Sequence, residues 1–136
     1  MNANTILIVE DNQLNKKLFE DILKVDGYKT VATENAFEAQ ELAIQHKVSL
    51  VLMDIQLPEI SGLDVIAMFK RNKQLENIPI IAVTAFAMKG DEEHILSQGA
   101  SAYLSKPITV SQLLAEVRRF LPKDEDVFGE RNGTNS

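Results

Sequence analysis

Apolar runs alternate with helix-period segments five times along this chain, and no other feature narrows the fold as much. Thr5 to Val9 reads as a strand. Leu14, Leu18, Phe19, Ile22 and Leu23 recur at helical spacing, predicting a helix from about Asn12 to Val25 that Gly27 ends. Tyr28 to Ala32 alternates in polarity, as an edge strand does. Asn35 with Glu38 resembles a capping box for a second helix running to about His46. Leu50 to Met53 is a third strand. Ser61 caps a third helix whose inner face carries Leu63, Ile66 and Ala67. Pro79 opens a fourth strand, Ile80 to Val83, where a proline is tolerated as the first residue. Asp91 to Ser97 is a short fourth helix closed by Gly99, and Ala102 to Leu104 is the fifth strand. Thr109 with Gln112 is a second capping box, ahead of Val110, Leu113, Leu114, Val117 and Leu121 in the last helix, which Pro122 stops.

Strand–helix units in series favour a parallel sheet with helices on both faces, the α/β doubly wound class. A length of 136 residues suits a single domain over 1–122. Residues 123–136 are polar with little to bury and read as a disordered tail, its acids Asp124-Glu125-Asp126 solvated. At 45% hydrophobic and 25% charged, the chain can build an ordinary core. The net charge of −6 argues against a general nucleic-acid binder. With no cysteine, disulfides and thiolate metal sites are excluded. There is no apolar run of about 18 residues and no signal-type leader, so membrane insertion is not expected and the cytoplasm is the expected location.

A buried strand does not end in a charge without reason, yet Leu50-Val51-Leu52-Met53 runs into Asp54. Glu10 and Asp11 end the first strand in the same way. If the two strands are parallel neighbours, three carboxylates meet at the edge where open α/β sheets bind ligands. Their mutual repulsion calls for a hard divalent cation, typically Mg²⁺, with Mn²⁺ as a substitute. Thr84-Ala85 after the fourth strand and Lys106-Pro107 after the fifth reach the same edge. Together these supply the parts for phosphoryl transfer to a carboxylate. Asp54 is the candidate nucleophile, and Glu10 and Asp11 are candidate metal ligands. The Thr84 hydroxyl and Ala85 N–H can meet one phosphoryl oxygen, and the Lys106 ammonium another.

These residues carry a resemblance. Ile-Leu-Ile-Val-Glu10-Asp11-Asn, Leu-Met-Asp54-Ile-Gln-Leu-Pro58, Val-Thr84-Ala85 and Ser-Lys106-Pro107 together resemble the receiver domain of bacterial two-component response regulators, over roughly residues 5 to 121. The stretches Met53 to Leu63 and Val83 to Glu92 are similar to stand-alone receivers of bacterial cell-cycle control. The resemblance implies a flavodoxin-like five-stranded sheet in the order 2-1-3-4-5 with five helices, the order the receiver CheY has. It implies that Asp54 accepts a phosphoryl group from a phosphohistidine, with slow self-catalysed phosphorylation and dephosphorylation. Glu10, Asp11, Asp54 and the Gln56 backbone carbonyl would hold Mg²⁺, and the Lys106–Pro107 peptide would be cis. Thr84 and Tyr103 would form a switch pair that remodels the face of the fourth helix, fifth strand and fifth helix, with Lys89 and His94 on it. Gln56 and Phe86 stand where the family tunes loss of the phosphoryl group. Implied partners are a sensor histidine kinase or phosphatase, a phosphotransfer protein or another protein target.

Each residue also has an ordinary reading. Asp54 could cap a strand end, Glu10 and Asp11 could favour a helix dipole, and Tyr103 could be a half-buried aromatic. Thr84 alone is a strand residue, Lys106 alone a surface lysine, and Gly90 a turn or a mobile switch element. His46 and His94 are isolated surface residues, and Met53, Met68 and Met88 suit packing. Two other classes compete. An aspartyl-nucleophile phosphatase needs a general acid two residues past Asp54, where Gln56 stands. A receiver-like binding module that is never phosphorylated needs none of the chemistry. A flavin-type phosphate cradle is set aside, because Glu10-Asp11-Asn12 after the first strand would repel a phosphate unless a metal intervened.

Overall fold

Every second residue of the central strands faces the same side, so alternation sorts the side chains into two layers. In the computed structural model, which describes residues 4–85 and 91–123, the strands are β1 (Thr5–Val9), β2 (Lys29–Thr33), β3 (Leu50–Asp54), β4 (Ile80–Thr84) and β5 (Ala102–Ser105). The helices are α1 (Gln13–Val25), α2 (Ala39–Gln45), α3 (Gly62–Arg71), α4 (Asp91–Ser97) and α5 (Val110–Phe120). All four ladders are parallel and the strand order is β2-β1-β3-β4-β5, as the resemblance implies.

Ile6, Ile8, Leu50, Leu52, Ile81 and Val83 pack with Phe19 and Leu23 of α1 and Leu113 and Val117 of α5. Leu7, Val9, Val51, Met53, Ile80 and Ala82 face the other way, against α2, α3 and α4. β1, β3 and β4 are thus covered on both sides, which is why they read as continuous apolar runs. β2 is an edge strand, and its burial grades from exposed Lys29 to buried Thr33 rather than alternating.

Gly27, at φ 97°, turns the chain out of α1. Beside it, Asp26 accepts from Arg118 Nε at 3.1 Å and Nη2 at 2.5 Å, and its backbone carbonyl accepts from Lys123. These bonds tie the end of α5 to the end of α1. Partial burial opposes ionisation of Asp26, but the hydrogen bonds and charges of Arg118 and Lys123 outweigh it and hold the carboxyl below its usual pKa.

Four expectations need correction. Asn35 does not start a capped α2. Its side chain accepts from the Phe37 N–H at 2.9 Å and opens a single 3₁₀ turn, Ala36–Glu38, after which α2 begins with no side-chain cap. A 3₁₀ turn eclipses residues three apart, and so sets both Ala36 and Ala39 against the sheet. On α3 the buried residues are Val65, Ile66 and Phe69, with Ala67 only half-buried. On α1, Leu14 is 78% exposed and lies on a stripe beside the buried Phe19–Leu23 stripe. Val110 is 52% exposed at the first turn of α5. The acidic run at 124–126, like Phe86, Met88, Lys89 and Gly90, lies outside the described residues.

Candidate functional site

Register decides which side chains meet. Val9 pairs with Met53, Asp54 with Val83, and Thr84 with Ser105. The next residue on each strand or loop therefore falls in one row at the carboxyl edge, bringing Glu10, Asp54, Thr84 and Lys106 side by side. Glu10 is 1% exposed, Asp54 3%, and Thr84 is buried. Asp11 is the more exposed of the acids. One carboxylate oxygen from each of Glu10, Asp11 and Asp54 lies within 4.8 Å of the others.

The Lys106 ammonium lies between two of these acids, 3.0 Å from Glu10 Oε1 and 3.2 Å from Asp54 Oδ2. It donates a hydrogen bond to Asp54. Its approach to Glu10 is an ion pair by distance without hydrogen-bond alignment, so Glu10 Oε1 stays a buried oxygen lacking a hydrogen bond. Glu10 Oε2 accepts from the Asn12 N–H at 3.1 Å. Burial, then the closeness and negative charge of the Asp54 carboxyl, push the Glu10 pKa up to about 7 against the help of Asn12 and Lys106. Burial opposes the Lys106 charge, but its close ion pair with Glu10 and the charge and hydrogen bond of Asp54 win and raise its pKa.

Local structure holds the row in place. Asn12 caps α1 through a 2.9 Å bond from the Asn15 N–H, which fixes the turn carrying Asp11. Ser61 caps α3 by accepting from the Leu63 N–H at 3.1 Å. Gly62 then passes so close that a Cβ there would stand 2.4 Å from Ile55 Cα and 2.6 Å from the Asp54 carbonyl oxygen. The Lys106 N–H donates to the Thr84 carbonyl at 2.7 Å, and the Lys106–Pro107 peptide is cis.

Two features escape the sequence reading. The close approach of Gly62 is one, since the sequence marked only Ser61 beside it, as a helix cap. The other is the reach of the side chain of Gln56, a residue named for its carbonyl and for tuning phosphoryl loss: its Oε1 accepts from the Ala85 N–H at 2.7 Å, while its N–H donates to Asp54 Oδ1 at 2.8 Å. Nothing local foretold a partner 29 residues away. Tyr103 is half-buried on the α2–α3–α4 side of β5. His46 and His94 are exposed, and Phe86 and Lys89 lie outside the described residues.

A family model described as the response regulator receiver domain matches residues 6–118. The chain belongs to that family. This receiver is 52% identical over 117 residues to the polar-differentiation response regulator DivK of Brucella anthropi, covering 86% of this chain and 95% of that protein. Among solved structures, it is similar to the receiver domain of the sensor histidine kinase PA1611 from Pseudomonas aeruginosa. That match is 30% identical with a TM-score of 0.81, covers 90% of this chain and all of the other, and its site cleft holds a magnesium ion. It is similar as well to the BeF3-activated receiver domain of RstA from Klebsiella pneumoniae, 28% identical with a TM-score of 0.80, over 88% of this chain and all of that one.

The receiver's acidic pocket suits a hard cation on its own chemistry. The donors are all carboxylate oxygens, one of them buried without a hydrogen bond, and a cation would relieve the burial and the Asp54 charge that raise the Glu10 pKa. Among the described residues no helix is long and apolar enough to cross a membrane.

Proposed function

We propose that this receiver accepts a phosphoryl group on Asp54 from the phosphohistidine of a partner protein, with Mg²⁺ bound, and signals by changing its protein contacts. The observation that carries the reading is the Lys106 ammonium held at 3.0 and 3.2 Å between Glu10 and Asp54, next to the third carboxylate. An oxygen of Asp54 bonds to phosphorus as the phosphorus–nitrogen bond breaks. The imidazole leaves with the electron pair, and Asp54 becomes an acyl phosphate.

Glu10, Asp11, Asp54 and the Gln56 carbonyl would hold the Mg²⁺. Bound there, it neutralises charge on the phosphoryl oxygens. Lys106 meets one phosphoryl oxygen, and the Thr84 hydroxyl and Ala85 N–H meet another. Thr84 turning toward the phosphoryl group leaves room for Tyr103 to turn inward, shifting the population toward a second surface on α4, β5 and α5. Histidine kinases, phosphatases and phosphotransfer proteins are the partners such a surface suits. The naming of its relatives for polar differentiation supports a role in cell polarity or the cell cycle.

Incubation with acetyl phosphate, with and without Mg²⁺, followed by mass spectrometry tests the site. Mg²⁺-dependent modification at Asp54, absent from Asp54→Asn, is expected. Equal modification of the variant would refute the assignment.

A further inference from the structure

A backbone N–H carries one hydrogen and serves one strong acceptor at a time. The Ala85 N–H, the donor proposed for a phosphoryl oxygen, already serves Gln56 Oε1 at 2.7 Å, the short end of the range for such bonds. Burial does not demand that bond, because Ala85 is exposed and water could satisfy it. Gln56 is held at its other end too, since its own N–H donates to Asp54 Oδ1 at 2.8 Å. One residue therefore ties the acceptor carboxylate to the segment leaving β4. Through that tie, the loop after β3 is joined to the end of β4.

We infer that the Gln56 carboxamide is a built-in competitor for the Ala85 N–H, displaced when a phosphoryl oxygen takes that donor. The inference rests on the phosphoacceptor reading of Asp54. Displacement has two consequences. Filling the site costs the hydrogen bond that Gln56 gives up, so the side chain lowers the affinity for a phosphoryl group. Breaking it also unties the loop after β3 from the end of β4, so the event at Asp54 changes how these two strand ends are held together. Gln56 is in this sense a positioning residue, acting through Ala85 rather than on phosphorus.

Beryllofluoride titration at saturating Mg²⁺, followed by NMR of the Ala85 amide, tests this on the full chain as wild type, Gln56→Ala and Gln56→Met. Methionine keeps the length of glutamine and removes the strong acceptor. Both variants should bind beryllofluoride about fivefold more tightly than wild type, the scale of one neutral hydrogen bond. Before the ligand is added, their Ala85 amide should exchange with solvent faster than in wild type. Equal affinities in the three proteins would overturn the inference, as would equal exchange of the Ala85 amide. A methionine variant that behaves as wild type while alanine binds more tightly would assign the effect to bulk and also overturn it. If beryllofluoride binds none of the three, the phosphoacceptor reading itself falls, an outcome distinct from equal binding.

Discussion

Glu10 and Asp54 repel each other across the ends of β1 and β3, and the Lys106 ammonium, 3.0 and 3.2 Å away, only partly offsets that repulsion. The row also depends on a residue with no side chain. At Gly62 a Cβ would meet backbone atoms at 2.4 and 2.6 Å, and backbone cannot swing aside as a long side chain can. Gly62→Ala should cost about 1–3 kcal/mol, the usual range for overpacking a tight site. Urea denaturation measures it, and a variant as stable as wild type would contradict the account. The acids, Thr84 and Lys106 were legible as residues because each ends an apolar run or follows one. Gly62 and the Gln56 side chain were not, since their importance lies in how closely two separate loops approach.

Capping shows what a local motif can and cannot specify in an element. In α5 the reciprocal bonds form as the spacing of Thr109 and Gln112 suggests. The Gln112 N–H donates to Thr109 Oγ1 at 3.1 Å, and the Thr109 N–H donates to Gln112 Oε1 at 3.0 Å. Thr109→Ala should lower stability by about 1 kcal/mol, the ordinary value of an N-cap. Chemical denaturation would read that loss, and no change in midpoint would mean the cap is replaced by water. Asn35 and Glu38 have the same spacing, yet the chain there takes a 3₁₀ turn with Ala36 and Ala39 both in the core. Periodicity likewise placed α1 and α5, while the neighbouring helices and sheet decided that Leu14 and Val110 stay outside.

Proton and cation compete for the same place in the molecule as a whole. The Glu10 pKa rises from 4.5 to about 7 on folding, so between those values the folded chain binds more proton than the unfolded one. This contribution to stability is present below about pH 4.5 and is lost as pH rises through 7. A cation on the same carboxylates restores it, and must displace the proton first where one is bound. Mg²⁺ should therefore raise the denaturation midpoint more at about pH 8 than at about pH 5. Thermal or urea melts with and without Mg²⁺ at both values check this. A larger gain at the lower pH would refute the role of Glu10.

The layered α/β plan and the four loops at one sheet edge were determined by sequence alone. Strand and helix periods are local properties, and parallel units in series send every strand's carboxyl end the same way. Tertiary structure alone decided the Lys106 distances, the Gln56–Ala85 bond, the space at Gly62 and the tie of Asp26 to Arg118. Those contacts join residues far apart in the chain, and their geometry follows from strand register and helix packing, which no local pattern encodes.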